Sequence, residues 1–423
     1  MTSPVWHPFT QHGLGEAIPQ IVSASGAWLT CDDGHRLLDG ISSWWVITHG
    51  HCEPRIAAAI AAQAGTLDQM IFAGYTHPQA EALARSLVAL TPPGLDHVFF
   101  SDSGSTAVEV ALKMALGHWH NRGEARHRLL VLEHSYHGDT IGTMSVGERG
   151  VFNRAYAPLL FDVETVPFPA QGHAQASLDA LERLCRTGEK PAAFIVEPLV
   201  LGAGGMLLYP PETLRAFAEI CAQHDVLFIV DEVMTGWGRT GTLFACEQAG
   251  VAPDILCLAK GFTGGAVPLA ATLASAAIFE SHRSTDRAAM FFHSSSFTAN
   301  PICCAAAHAN LAIWRDEDVP GRIAALGSAL DEGLATLAGH GRLHNPRRIG
   351  AIAAIDMVVP DGGYLSDVAP RLRAHALEQG LLLRPLGNTI YLMPPYCTTP
   401  AEIAQAFSVI ADAVDTRPNW HTR

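Results

Sequence analysis

The chain has 423 residues, 48% of them hydrophobic and 16% charged, with a formal net charge of −14. That length exceeds the roughly 250–300 residues one hydrophobic core usually serves, so two lobes are expected, and the composition excludes a disordered chain. The acidic balance offers no electrostatic footprint for nucleic acid or an anionic membrane surface, and nine scattered cysteines without a C-x-x-C pair read as reduced thiols of a cytoplasmic protein rather than a disulfide framework.

The N-terminus, MTSPVWHPFTQHG, has neither the basic nor the apolar region of a signal peptide. The softest run, Gly265 to Phe279, is too short for a membrane span and contains a proline, so it reads as a strand and a helix start. Up to about residue 55 the chain looks irregular, then strand-like. Asp33-Gly34 lies between two apolar runs, a hairpin signal. In ISSWWVITHGH, Trp44 and Trp45 point to different sides if the segment is extended. Either they are core aromatics or one walls a flat substrate pocket. His49 and His51 are spaced H-x-H, yet no thiol or carboxylate motif completes a zinc site, and no metal is expected.

From Pro54 to Leu90 the pattern is helical. LDHVFF then reads as a strand, followed at once by SDSGSTAVEVALKMALGHW, whose Ala107, Val110, Ala111, Met114 and Ala115 share one helix face. A strand, a tight Ser/Gly turn and a helix start form either a phosphate site or a merely serine-capped helix. Glu109 and Lys113 stand in the favourable order for an exposed i,i+4 ion pair. LLVL is a further strand, followed by a loop with Tyr136, His137 and Asp139, and AFIV repeats the strand-then-charge scheme at Glu197.

VLFIV and DILCLA are short apolar runs that stop at Asp231 and Lys260. Such runs read as strands of a parallel sheet buried on both faces, where ligands gather beyond the carboxyl ends. Only three lysines occur (Lys113, Lys190, Lys260), leaving 24 arginines among the 27 basic residues, and one of the three stands at a buried strand end before GFTGG. Lys260 is therefore either a solvated strand-end charge or a buried, depressed-pKa amine of the Schiff-base type. An amine beside an acid on the next strand is the pair that pyridoxal phosphate (PLP) requires. FFHSSSFTANP adds a polar loop. From about Trp314 the pattern becomes α+β, and Arg384 ends LLLRP, aimed at a carboxylate or at solvent.

Taken in order, SDSGSTAVEVALKMA, YHGDT, IVEP, VDEVMTGWGRTG, FACE, PDILCLAKGFTGG and RPLGNTIYLMPPY resemble the class III (ω-) aminotransferases of PLP fold type I over nearly the whole chain. WHPFTQ, GISSWW and RPLGNTIYLMPP are most similar to its biotin-biosynthesis branch. The resemblance implies an α/β fold with a mostly parallel central sheet in a large PLP-binding domain (54–313) and a smaller α+β domain from both termini (1–53 and 314–423). It implies that Lys260 holds PLP and shuttles a proton, that Asp231 pairs with its pyridine nitrogen, and that Gly104 and Ser105 bind its phosphate. Tyr136 would stack on the ring and Glu197 support the pocket. Trp44, Trp45, Tyr136, Arg239 and Arg384 would meet the substrate, Arg384 at its carboxylate. Ser296 would reach the phosphate of the partner subunit in a homodimer. Phe9 replaces a tyrosine frequent in this branch, which leaves S-adenosylmethionine and lysine both open as amino donor. Gly202 stands where ornithine- and γ-aminobutyrate-type members carry an acid.

Overall fold

A computed structural model describes residues 3–359 and 363–416. The apolar runs pair into one seven-stranded sheet. Its strands are β1 (His97–Ser101), β2 (Leu129–Leu132), β3 (Glu164–Val166), β4 (Ala193–Val196), β5 (Leu227–Asp231), β6 (Ile255–Leu258) and β7 (Ala270–Ala274). The order is β1-β7-β6-β5-β4-β2-β3. Neighbours from β6 to β3 are parallel, and β7 is antiparallel to both β6 and β1. The five anticipated strands are all here, and the run from Gly265 supplies β7 and the short helix Ala276–His282.

The continuous apolar runs exist because both faces of this sheet are covered. Alternate residues diverge: Leu130, Phe194, Phe228, Val230 and Leu256 pack on one side with Leu214 and Phe217 of the helix Pro211–His224. On the other, Val131, Ile195, Ile229 and Ile255 meet Ala107, Ala111 and Ala115 of the helix Gly104–Asn121. The small residues on that helix let it lie close on the sheet, so its first turn is carried to the sheet's carboxyl edge.

Near the N-terminus, Ile21–Ser25, Trp28–Cys31 and Arg36–Asp39 form a meander whose last strand pairs in parallel with Leu381–Leu382, so the two ends of the chain share one sheet. The turn between the second and third of these strands is the expected Asp33-Gly34 hairpin. Leu343–Ile349, Ile352–Met357 and Thr389–Leu392 form a second small sheet, covered by the helices Val319–Thr336 and Pro400–Thr416.

Two local expectations are corrected. The tryptophan segment is not extended: Ser42–Trp45 is an irregular turn with φ of 51°, 61° and 64° at Ser42, Ser43 and Trp45. Glu109 does not pair with Lys113, because its carboxylate turns inward to accept from Thr140 Oγ1 (2.6 Å) and the Gly142 N–H (2.8 Å). Lys113 instead donates to the Phe292 carbonyl (2.5 Å). The edge strand β3 and the small hairpin Val200–Leu201/Leu207–Leu208 gave too short an apolar pattern to be anticipated. No helix among the described residues is long and apolar enough to cross a membrane.

The small lobe offers a stability test. A Cβ on Gly333 would stand 2.0 Å from the buried Phe407 ring, where the helices Val319–Thr336 and Pro400–Thr416 cross. Helix propensity favours Gly333→Ala by about 1 kcal/mol, but overpacking costs about 1–3 kcal/mol. Thermal denaturation is expected to show a lower Tm, whereas an unchanged or raised Tm would refute this close crossing.

Candidate active site

The parallel register places Asp231, the last residue of β5, opposite Cys257 of β6, so the two strands deliver Asp231 and Lys260 to the same edge. Lys260 lies two residues past β6 in a left-handed conformation (φ 48°) that opens a single 3₁₀ turn, Lys260–Thr263. Its Nζ stands 4.7 Å from the centre of the Trp45 ring and, among the described residues, has no hydrogen-bond or ion-pair partner. Burial among apolar walls lowers its pKa from 10.5 to about 8, against the opposing pull of Asp231 and Glu197.

The buried Asp231 carboxylate has two fixed contacts. Oδ2 lies 2.7 Å from Nδ1 of His137, and Oδ1 accepts from the Val233 N–H at 3.0 Å. His137 Nε2 is buried with no partner among the described residues. The loop bearing His137 is held from below by Glu197, which accepts from the Tyr136 N–H (3.0 Å) and, with its other oxygen, from the Gly202 N–H (3.0 Å). Desolvation raises the Glu197 pKa to about 7, despite His137 and both N–H donors. A Cβ on Gly202 would meet Met234 Cε at 2.9 Å and the Trp45 ring at 3.3 Å, so a side chain there would have to displace the Met234 methyl and crowd Trp45.

On the opposite side stands the start of the helix Gly104–Asn121. Ser103 caps it in a reciprocal box with Thr106, which leaves the N–H groups of the first turn facing the crevice. The approach of the 136–139 loop is very close: Gly138 has φ 135°, and a Cβ there would lie 2.0 Å from Ser105 Oγ. Only glycine permits that turn, and the Asp139 N–H then donates to Ser105 Oγ (3.3 Å).

These elements enclose a cavity of about 190 Å³, lined by Gly104, Ser105, Tyr136, Glu197, Asp231 and Lys260. Trp44, Trp45 and Arg384 form its outer wall, with Phe9 and Phe152. The Arg384 guanidinium carbon lies 4.9 Å from the Trp44 ring centre and 5.6 Å from that of Phe9. Among the described residues it has no carboxylate partner. Arg384 is thus a half-buried cation on an aromatic wall, without an ion-pair partner among the described residues.

Two expected site residues lie elsewhere. Arg239 does not line the cavity: its fully buried guanidinium is taken up by the carbonyls of Ile47 (2.7 Å), Pro394 (3.3 Å) and Trp45 (3.4 Å). Ser296 is exposed on a loop outside this cavity, where its carbonyl accepts from Gln69 Nε2. His137, Phe152 and Tyr364 were given no site role from sequence, although His137 stands next to Tyr136 in YHGDT.

The donor set fits PLP. It offers an unpaired amine at the cavity floor, a buried carboxylate in reach of a ring nitrogen, and a helix N-terminus with a glycine-tight loop for a phosphate. Comparison with known proteins agrees. The family model for class III aminotransferases matches residues 11–414. The adenosylmethionine-8-amino-7-oxononanoate aminotransferase of Synechococcus elongatus is 47% identical, covering 97% of this chain and 98% of its own. That of Mycobacterium leprae is 40% identical over 96% and 94%. The crystal structure of the Methanocaldococcus jannaschii enzyme of the same name superposes with a TM-score of 0.93 at 32% identity, covering 98% and 97%. A PLP-bound amine transaminase from an uncultivated Pseudomonas species gives 0.91 at 33%, covering 98% of each chain. With that sheet, that amine and that acid in place, the chain belongs to the class III aminotransferases, PLP-dependent enzymes of fold type I.

Proposed function

We propose that this chain aminates 8-amino-7-oxononanoate to 7,8-diaminononanoate in biotin biosynthesis, with S-adenosylmethionine as amino donor. The observation that carries the reading is the pairing, in one cavity, of an unpaired amine on the floor with an unpartnered arginine on an aromatic outer wall. An alkyl chain ending in a carboxylate matches that polarity, and the names of the relatives support it. A second reading keeps the keto acid but takes lysine as donor, because Phe9, 5.7 Å from Trp44, brings no phenol to the wall.

PLP, when bound, supplies the electron sink for chemistry at the substrate's amino carbon. Lys260 would hold it covalently, Asp231 its ring nitrogen, and Gly104 and Ser105 its phosphate. Tyr136 would cover the ring, and Ser296 would reach the phosphate of the partner subunit in a homodimer. The Lys260 amine, poorly solvated and unpaired, takes the proton from the substrate carbon and returns it. His137 keeps Asp231 oriented. Glu197 fixes the backbone of Tyr136, Trp44 and Trp45 exclude water, and Arg384 receives the carboxylate through charge-assisted hydrogen bonds. The division into residues 54–313 as the PLP-binding domain, with 1–53 and 314–423 as the smaller one, is supported by the parallel pairing of Leu381–Leu382 with Leu38 and Asp39. Nine free cysteines support a cytoplasmic location.

With the keto acid held constant, a donor panel is expected to give 7,8-diaminononanoate with S-adenosylmethionine; product with lysine alone selects the second reading. Turnover of β-alanine or diamines with pyruvate, and none of the keto acid, would contradict both. Lys260→Ala is expected to lose the visible absorbance of the lysine-bound cofactor and about 10²–10⁴-fold in turnover. Asp231→Asn should keep cofactor but lose most turnover, and near-normal rates would remove its assigned role.

The lowered amine pKa has a pH signature. At about 8, about one Lys260 amine in ten is neutral at pH 7, against about one in three thousand at 10.5. Covalent cofactor uptake by the apoprotein should rise about tenfold per pH unit below pH 8 and level off above it. A rate still climbing steeply to pH 10 would mean an ordinary, solvated lysine.

A further inference from the structure

The turn that carries Trp44 and Trp45 is strained, and its backbone is gripped on two sides by opposite buried charges. Three consecutive-turn residues without the freedom of glycine hold positive φ, namely Ser42, Ser43 and Trp45. Such a conformation persists only where the surroundings over-determine it. On the N–H side stands Asp39, the fully buried last residue of its strand. Its Oδ1 accepts from the N–H groups of Ser43 (2.8 Å) and Ile41 (3.3 Å), and its Oδ2 accepts from Ser43 Oγ (2.9 Å). His51 Nε2 lies 2.8 Å from the same Oδ2. On the carbonyl side stands Arg239, which donates to Trp45 O and Ile47 O within the same segment, and to Pro394 O beyond it.

Among the described residues Asp39 has no guanidinium or ammonium partner, only the His51 imidazole, and Arg239 has no carboxylate partner. Asp39 is met by the Ile41 and Ser43 donors and by His51, and Arg239 by three backbone carbonyls and the Tyr396 ring 5.1 Å away; burial disfavours the Arg239 charge, while Tyr396 and then Asp39 favour it. A buried charge left without such partners is strongly unfavourable, so each ion enforces the turn that solvates it. The two tryptophans at the centre of this segment set two distances in the cavity. Trp45 lies 4.7 Å from Lys260 Nζ, with its Nε1 donating to the Tyr391 hydroxyl (2.8 Å), and Trp44 lies 4.9 Å from Arg384.

We infer that Asp39 and Arg239 are positioning residues, an anion and a cation that clamp one strained turn and so fix the spacing between the substrate's carboxylate site and the reacting amine. Arg239 thus acts on the substrate through the backbone of Trp45 and Ile47, without touching it. Of the two histidines in the H-x-H pair, His51 belongs to this clamp. His49 turns away to Asn310 (2.8 Å), whose amide donates to the carbonyls of Gly261 and Phe262 in the lysine turn.

The test is Asp39→Ala, read in two ways. Amide hydrogen exchange in the peptide spanning residues 41–47 should accelerate about tenfold or more as the N–H groups lose their acceptor. The KM for the keto acid should rise about tenfold or more while the fraction of protein carrying lysine-bound cofactor stays at the wild-type level. Asp39→Asn should recover most of both, since its amide oxygen can take the two backbone N–H groups and its NH₂ can face Ser43 Oγ. If Asp39→Ala does not accumulate as folded protein, Ser43→Ala carries the test, with about a threefold change expected in each reading. Wild-type exchange or wild-type KM in the folded, cofactor-loaded variant overturns the clamp. The KM arm rests on the proposed transaminase reading; wild-type protein that turned over no keto acid would refute that reading and leave hydrogen exchange to decide the clamp.

Discussion

Two parallel strands in register, β5 and β6, put a carboxylate and an amine at the same edge of one sheet, and everything else in the site is arranged around that placement. The sheet can do this only because it is buried on both faces, which makes its strand ends the one place where polar groups meet solvent and ligand. Asp231 and Lys260 do not touch. A direct ion pair would satisfy both charges and leave nothing for a ligand. Instead the acid is occupied by His137 and a backbone N–H, while the amine is left to a ring face and an apolar wall. Burial, with no salt bridge to offset it, is what makes the amine nucleophilic near neutral pH.

Charge at this edge is managed by distance and by peptide dipoles more than by contact. Glu197, Asp231 and Lys260 share one cavity, and the first is pushed up to about 7 by burial. It ties the Tyr136 loop to the Gly202 turn by accepting one N–H from each, a job an acceptor can do whether or not it is ionised. The same economy recurs in the tryptophan turn, where Asp39 and Arg239 act on each other across the backbone they hold. Both arrangements rigidify the cavity before any substrate arrives, which is how a site keeps reacting atoms aligned at little cost on binding.

Much of this was legible in the sequence. The strand ends at Asp231 and Lys260, the Ser/Gly helix start and the Asp33-Gly34 hairpin each rest on local chemistry that tertiary context did not override. What escaped was tertiary by nature. Nothing in a single run of residues says that Glu109 turns inward to Thr140, or that Arg239 solvates its charge on carbonyls of residues nearly two hundred positions away. The tryptophan segment failed for a related reason. Read as extended it would alternate its tryptophans, but Asp39 accepts from Ile41 and Ser43 in a turn where Ser42, Ser43 and Trp45 take left-handed φ, a conformation that residue propensity argues against. His137 was visible beside Tyr136, yet its role depends on facing the end of a strand that begins ninety residues later. The places where local rules mislead are thus the functional ones, as expected where strain and buried charge serve a site.

The scarcity of lysine makes the central claim open to a direct check. Reduction of the cofactor-loaded protein with borohydride makes the lysine–cofactor bond permanent, and peptide mass spectrometry then identifies the residue that carries it. The account predicts a phosphopyridoxyl group on Lys260 alone. Stoichiometric label on Lys113 or Lys190, with Lys260 unmodified, would contradict it.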